Sequence, residues 1–184
     1  IEEKAAQEKL ADFIKTNLQG YKEKRDFPAD GATSRLSPHL HFGEISPHQI
    51  WAQIMKTPPG HDRDHFLSEL GWREFSHMLL YHFPHSEREN LNPKFDGFSW
   101  RDDIRALQAW QKGQTGIPII DAGMRELWET GVMHNRVRML TASFLVKNLM
   151  IHWHHGEAWF FFFFFDADIA NHLSFLLWVS ASGA

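Results

Sequence analysis

Apolar residues recur every three or four positions along most of this 184-residue chain. The segment 2–18 shows the pattern on one helical face, with Ala6, Leu10, Phe13, Ile14 and Leu18. The strict alternation of apolar and polar residues that is typical of half-buried strands is nearly absent. Because such a chain has only helices with which to build a core, the sequence predicts an all-α fold.

Start and stop residues divide this pattern into separate helices. Ser46 and Pro47 are typical of a helix start, and Gly113 and Gly131 are typical of the position after a last turn. Irregular segments are predicted over 26–35 and 84–100. Helices are predicted over residues 2–18, 47–55, 64–83, 105–112, 121–130 and 134–152, with a last helical stretch after Gly156.

The composition excludes several classes of protein. Cysteine is absent, which excludes disulfides, thiolate catalysis and cysteine-ligated metals, and which fits a cytoplasmic protein. We expect neither a signal peptide nor a membrane span, because the most apolar stretch, 159–165, is short and ends at Asp166. The net charge of −4 argues mildly against a nucleic-acid partner, although a local basic patch remains compatible with it. The length suits one domain, residues 1–184.

Two short segments have the chemistry of a ligand site. The first segment carries hydroxyls, a guanidinium and loop amides, which suit a phosphate ligand. The alternative is an ordinary polar loop. The second segment places an acid, a flat aromatic and an arginine on one helix face, which suits a nucleobase ligand. The alternative is a solvated ion pair beside a buried Trp. The first segment comprises Thr33, Ser34, Arg35, Leu36 and Ser37, and the second comprises Glu69, Trp72 and Arg73.

A third group, Asn135, Arg138 and Met139, also lies at spacings of three and four. A buried arginine needs a carboxylate, for which Asp166 and Asp168 are the candidates, and an ordinary ion pair between helices is the alternative.

Histidines and phenylalanines form three further clusters. No metal site is expected, because the histidines lack a carboxylate-bearing zinc motif and polar surface histidines are the simpler interpretation. Six successive Phe residues exceed one helix face, so the helix is surrounded or some rings are exposed. The clusters are His39 with His41, His152 with His154 and His155, and Phe160 to Phe165.

Taken in order, the motifs of this chain resemble the photolyase/cryptochrome family, and within it the class I cyclobutane pyrimidine dimer photolyases. MHNRVRM in particular resembles the dimer photolyases rather than the (6-4) photolyases and animal cryptochromes. The motifs are YKEKRDFP at 21–28, TSRLSPHLHF at 33–42, FLSELGWREF at 66–75, LQAWQKGQTGIP at 107–118, MHNRVRMLTASFLVK at 133–147, DAD at 166–168, and the final residues 178–184.

The resemblance implies a helical FAD-binding domain that lacks the family's N-terminal α/β antenna domain and its last C-terminal segment. It also implies light-driven repair of pyrimidine dimers in DNA by electron transfer from reduced FAD, carried out by a monomer. Base flipping would bring the dimer into a pocket, since a badly paired lesion leaves the stack at low cost.

The resemblance also implies roles for individual residues. FAD would be held by Tyr21, Thr33, Ser34, Arg35, Leu36, Ser37, Arg73, Arg138, Asp166, Asp168 and His172. DNA would be contacted by Arg25, Glu69, Trp72, Arg73, Asn135 and Arg136. The chemistry would involve Glu69, Trp72, Asn135 and Met139 at the dimer, with Trp100 and Trp153 relaying electrons.

The chain departs from the family's pattern near the flavin. Leu176 stands where the family's flavin-proximal tryptophan is expected, and His172 stands where an Asn is common. Ile117 and Val132 replace expected aromatic residues. Because leucine cannot relay an electron, photoreduction along that chain would be impaired unless Trp178 or another ring substitutes. The alternatives to a repair enzyme are therefore a cryptochrome-like light receptor and a helical scaffold without flavin.

Overall fold

The computed structural model describes residues 2–87, 89–90, 94 and 96–179, and it is helical without strands over these residues. The all-α prediction is confirmed. The chain divides into two compact units, Ile1–Phe75 and Ser76–Ala184, and the prediction of a single domain stays a prediction. No described helix is both long and apolar enough to cross a bilayer.

The first unit is built around α1, whose Ala6, Leu10 and Phe13 are buried as the periodicity predicts. Ser46 caps α4 through a reciprocal capping box with Gln49, so the predicted start of this helix is confirmed. The helices of this unit are α1 (Glu3–Thr16), α2 (Tyr21–Lys24), α3 (Ser37–His41), α4 (Pro47–Ile54) and the first part of α5 (His61–His82).

The second unit surrounds a core that includes Trp110, Met124, Leu127, Leu145 and Phe160, which are all less than 1 % exposed. Its helices are the end of α5, α6 (Ile104–Gln111), α7 (Pro118–Thr130), α8 (Asn135–Ser143), α9 (Trp153–Phe163) and α10 (Ile169–Val179).

The predicted helix over 134–152 is wrong in its second half. The α-helix ends at Ser143, a π-helical turn covers Phe144–Asn148, and Met150 has a φ of 57°. A left-handed residue cannot continue a helix, so the chain turns away there. No glycine or proline marks this end, so the sequence offered no stop residue.

The Phe run is only partly helical. The helix that contains it begins at Trp153, so Gly156 lies inside it rather than before it, and Phe164 is already extended. Phe160 and Phe164 are buried, whereas Phe162 is 80 % exposed. Of the two alternatives from the sequence, exposure of some rings is the one observed.

The start of α7 also differs from its prediction, because the helix begins at Pro118 rather than at Asp121. The Asp121 carboxylate, which is buried, instead accepts hydrogen bonds from the Thr115 amide at 2.7 Å, the Thr115 hydroxyl at 2.6 Å and the Gly116 amide at 2.9 Å. Burial raises the pKa of this carboxyl, but the hydrogen bonds outweigh burial and leave it below its usual value. Asp121 therefore fastens the loop before α7.

Replacing Asp121 with alanine is expected to lower the free energy of unfolding by about 2 kcal/mol, because three part-buried donor groups lose their acceptor. Since the pKa of Asp121 is lowered in the fold, its contribution is complete above the ordinary value of 3.8 and declines as the pH falls through the folded value. Urea denaturation of both proteins at pH 7 and at decreasing pH measures the difference. A loss below about 0.5 kcal/mol at pH 7 would contradict this role.

Candidate functional site

Tyr21, at the start of α2, is 5 % exposed and packs edge-on against Phe13 and Phe66, with ring centroids 5.6 and 5.3 Å apart. Burial raises the pKa of its phenol to about 12. The group is therefore a neutral hydroxyl at any physiological pH, which can donate to an anionic ligand.

The loop at 33–37 joins this region to α3. Its Arg35 has a φ of 51°, the left-handed region that non-glycine residues rarely adopt, while Leu36 is buried and anchors the loop. Thr33 and Ser34 are half-buried, and Arg35 and Ser37 are exposed. The polar groups thus stand at the surface of the first unit, and the phosphate role stays a prediction.

Arg25 and Glu69 form an ion pair within the first unit. The Arg25 side chain is 11 % exposed and the Glu69 side chain 34 %. His65, one turn before Glu69 on α5, places its Nε2 atom 3.3 Å from Arg25 Nη1. The structure therefore brings together two predicted site residues and one histidine that the sequence analysis did not single out.

Trp72 lies on the same side of α5, one turn after Glu69. Its indole is 63 % exposed and meets Phe75 edge-on, with ring centroids 5.7 Å apart. The interpretation of Trp72 as one buried tryptophan beside a solvated ion pair is thus wrong, because the ring faces solvent. Arg73 donates to Glu74 at 2.7 Å.

The first turn of α8 carries Asn135 and Arg136, both of which are exposed. His134 caps this helix, since its Nδ1 accepts from the Arg136 amide at 3.2 Å. Met139 lies one turn further and is half-buried. These residues present amide, guanidinium and thioether groups at one helix start.

Arg138 is the centre of a buried polar cluster in the second unit. Its Nη2 donates to the Asp166 carboxylate at 3.2 and 3.4 Å, and its Nη1 lies 3.2 Å from His172 Nε2. The guanidinium also lies over the Phe164 ring, 3.7 Å from its centroid. The Arg138 and Asp166 side chains are 15 % and 16 % exposed, and His172 is 2 % exposed. The predicted pairing of Arg138 with a carboxylate is present.

One donor of this cluster has no acceptor. Within the described residues, the buried Nε of Arg138 makes no hydrogen bond. A buried donor without an acceptor costs free energy unless a ligand or water supplies one. The cluster therefore fits a planar group that carries acceptor atoms on its edge, as a flavin ring does.

Asp168 caps α10 rather than joining the Arg138 cluster in the described contacts. Its Oδ1 accepts from the Asn171 amide at 2.9 Å, and its Oδ2 lies 3.2 Å from His77 Nε2. The two candidate carboxylates of the DAD motif thus have different partners. Asp166 pairs with Arg138, and Asp168 caps the start of α10.

Trp100 and Trp153 lie on either side of His152. The His152 ring centroid is 5.1 Å from that of Trp100 and 5.5 Å from that of Trp153. Trp153 is 1 % exposed, and its indole donates to Asn90 at 3.3 Å. The predicted replacement ring, Trp178, and the departure at Leu176 concern side chains that lie outside the described part of the chain.

His152 is also the cap of α9, because its Nδ1 accepts from the His154 amide at 3.2 Å. Burial, and then the neighbouring His154 and His155, lower the pKa of His152 to about 4. The ring is therefore neutral at physiological pH. This histidine does not fit the interpretation of the cluster as ordinary surface histidines.

We expect the chain to lose stability as the pH falls from 6.5 to about 4, because the unfolded state then takes up a proton at His152 that the folded state does not. Allowing for partial exposure, the loss is about 2 kcal/mol. His152→Asn keeps a capping side chain that does not titrate, so its unfolding free energy should fall less over this range. Parallel thermal denaturation of the two proteins tests this, and identical pH profiles would contradict it.

Several residues of these clusters were missed from the sequence. His65 and His77 each contact a predicted site residue, but an isolated histidine carries no spacing that distinguishes it. Asp62, which accepts from the amides of Gly20 and Lys22 and so fixes α2, likewise has only a place in a first helical turn as a clue. Among the described residues, no group of three or more potential ligands is placed to hold a metal ion.

Comparison with known proteins shows to which family the chain belongs. A profile described as the FAD binding domain of DNA photolyase matches residues 66–184, which is more than half of the chain. The chain belongs to the DNA photolyase family. The matched residues include the Arg138 cluster, both tryptophans beside His152, and Trp72.

Individual relatives agree with the profile. A deoxyribodipyrimidine photo-lyase of Agrobacterium fabrum is 51 % identical over 99 % of this chain and 39 % of its own length. A class III photolyase structure from Agrobacterium tumefaciens superposes with a TM-score of 0.94 at 50 % identity, over 97 % of this chain and 38 % of that one. Cryptochrome-2 of Arabidopsis thaliana is 38 % identical over 87 % of this chain and 28 % of its own length.

The chain thus spans about two-fifths of the photolyases it matches. The predicted photolyase/cryptochrome family and its helical FAD-binding fold are confirmed. Because one relative is described as class III, the class I assignment stays a prediction.

Proposed function

We propose that this chain is the FAD-binding and lesion-recognising part of a light-driven enzyme that splits cyclobutane pyrimidine dimers in DNA. The family profile and the photo-lyase relatives support the enzyme class. The observation that carries the proposal is the exposed Trp72, one turn from Glu69 on α5. An exposed indole can stack on a flipped base, and the neighbouring carboxylate can accept hydrogen bonds from the edge of that base.

For the cofactor, we assign the isoalloxazine ring to Arg138, Asp166 and His172. Arg138 Nε is the buried donor that this ring would satisfy, and Asp166 holds the guanidinium through Nη2. When bound and reduced, FAD would supply the light-excited electron for opening the cyclobutane ring, and Arg138, Asp166 and His172 would hold it.

The remaining predicted FAD residues have supporting roles in this proposal. Tyr21 and the loop at 33–37 would hold the diphosphate and ribitol through hydroxyls, loop amides and Arg35. Asp168 would keep the start of α10 in place through its cap to the Asn171 amide, and so keep His172 aligned. Arg73 lies half-buried on α5 and would contact either ligand.

For the DNA, we assign Asn135 and Arg136 at the start of α8, both exposed, to the strand that carries the lesion. Met139 would pack beside the dimer. Trp100 and Trp153 are proposed to relay electrons, with the neutral His152 ring filling the space between them. A monomer located in the cytoplasm stays a prediction.

Replacing Glu69 with alanine is expected to reduce light-dependent repair of a thymine-dimer oligonucleotide by about 10-fold or more, because a hydrogen-bonded base edge is worth 1–3 kcal/mol. Bound flavin, measured by absorbance, should change little, since the Arg138 cluster is made within the second unit. Asp64→Ala, which removes an exposed carboxylate of the same helix, is the matched control.

Equal losses of repair and flavin in Glu69→Ala would show that Glu69 is structural. If the wild-type chain binds flavin and responds to light without repairing the dimer, the cryptochrome-like receptor is the better account. If the wild-type chain binds no flavin, a helical scaffold without flavin is the better account.

A further inference from the structure

Arg25 is turned inward, toward the first unit, rather than toward solvent. Its side chain is 11 % exposed and pairs with Glu69 through Nη1, while its Nε lies 3.7 Å from Asp26. The guanidinium also lies 5.6 Å from the centre of the Tyr21 ring. A side chain whose main role is to meet a phosphate from solvent would present its donors outward, so this placement favours another role.

His65 completes the arrangement. Its Nε2 lies 3.3 Å from Arg25 Nη1 and 3.9 Å from Glu69 Oε1. Because an arginine only donates, Nε2 must be the acceptor, which places the ring proton on Nδ1. Arg25 Nη1 thus contacts both the His65 imidazole and the Glu69 carboxylate.

Glu69 therefore does not sample the rotamers of an ordinary surface glutamate. A carboxylate held on a part-buried guanidinium loses less conformational freedom when it accepts a hydrogen bond from a ligand. One of its oxygens contacts Arg25 and His65, and about a third of the side chain remains accessible.

We propose that Arg25 and His65 are positioning residues, which hold the Glu69 carboxylate in the orientation that recognises the dimer, so that Arg25 acts on damage recognition through Glu69. This proposal rests on the proposed function, because it takes a flipped pyrimidine dimer as the ligand of Glu69.

The two possible roles of Arg25 differ in their dependence on salt. A phosphate contact releases counterions, so its loss lowers the slope of log K against log salt by about 0.9 and weakens damaged and undamaged DNA alike. A positioning residue leaves that slope unchanged, and its loss lowers only the preference for damaged DNA.

The test is a binding titration of the full chain with a duplex that contains one thymine dimer and with its undamaged counterpart, over a series of KCl concentrations. Arg25→Gln and Glu69→Gln should each lower the preference for damage about 10-fold, and the double variant should lose no more. His65→Gln keeps an acceptor and should retain the preference that His65→Leu loses. Lys22→Gln, which removes an exposed charge from α2, should change the preference little.

The proposal is overturned if Arg25→Gln lowers the salt slope and leaves the preference for damage intact, and in that case the repair function still stands. If the wild-type chain shows no preference for damage, the proposed function fails. The positioning role then fails with it, because it takes the dimer as the ligand of Glu69.

Discussion

The variant Arg138→Gln is expected to lower the free energy of unfolding by about 3 kcal/mol, because it leaves Asp166 charged and largely buried without its partner. The side chains of the pair are 15 % and 16 % exposed, so solvent screens the interaction only slightly. Glutamine keeps a hydrogen-bond donor near His172 but supplies no charge. The same variant should lose most of its bound flavin, since the unpartnered Nε of Arg138 disappears with the guanidinium.

Urea denaturation at pH 7 measures the loss of stability, provided that the m-value is unchanged. Asp166→Asn is the reciprocal variant, and the double variant Arg138→Gln with Asp166→Asn should recover part of the loss because it leaves no unpaired charge. A single-variant loss below about 1 kcal/mol would show that the pair is effectively solvated.

The second large effect concerns the crossing of α7 and α8. A Cβ atom added at Gly123 would stand 2.3 Å from the Val137 Cγ1 atom, which is too close for any side chain. Val137 is 4 % exposed, and its β-branched side chain has few rotamers available to it in a helix. We expect Gly123→Ala to cost about 3 kcal/mol through overpacking, although alanine is the better helix former.

Two variants control this prediction in the same denaturation experiment. Gly71, also inside a helix, has nothing within 4 Å of its added Cβ, so Gly71→Ala should gain up to about 1 kcal/mol. Combining Gly123→Ala with Val137→Ala should cost less than the sum of the single variants, because the smaller side chain makes room. Additive losses would mean that the helices separate rather than clash.

Many of the helix boundaries could be predicted because residues at the boundary itself determine them. Ser46 and Gly131 act within one turn of their own positions, and the structure places a capping box and a left-handed C-cap there. The π-helical turn after Ser143 could not be predicted in this way. It ends at Asn148, and Met150 two residues later has a positive φ that its residue type does not favour.

In the candidate site, too, neighbours in the sequence could be predicted and contacts between distant residues could not. Spacing alone placed Glu69 and Trp72 on one face of a helix, because residues three apart meet there. The partners of Arg138 required the folded chain, since Asp166 and His172 are 28 and 34 residues away. The need of a buried arginine for a carboxylate had left Asp166 and Asp168 as candidates, whereas the contact with His172 follows from a residue that departs from the family's pattern.

The most direct test of the account is whether this chain binds FAD through the Arg138 cluster. The measurement is a titration of the purified chain with FAD, followed by flavin absorbance and gel filtration, beside the Arg138→Gln variant. The account predicts that flavin elutes with the wild-type chain and not with the variant, at a temperature where both are folded. Flavin that elutes free of the wild-type chain, or equally with both proteins, would contradict it.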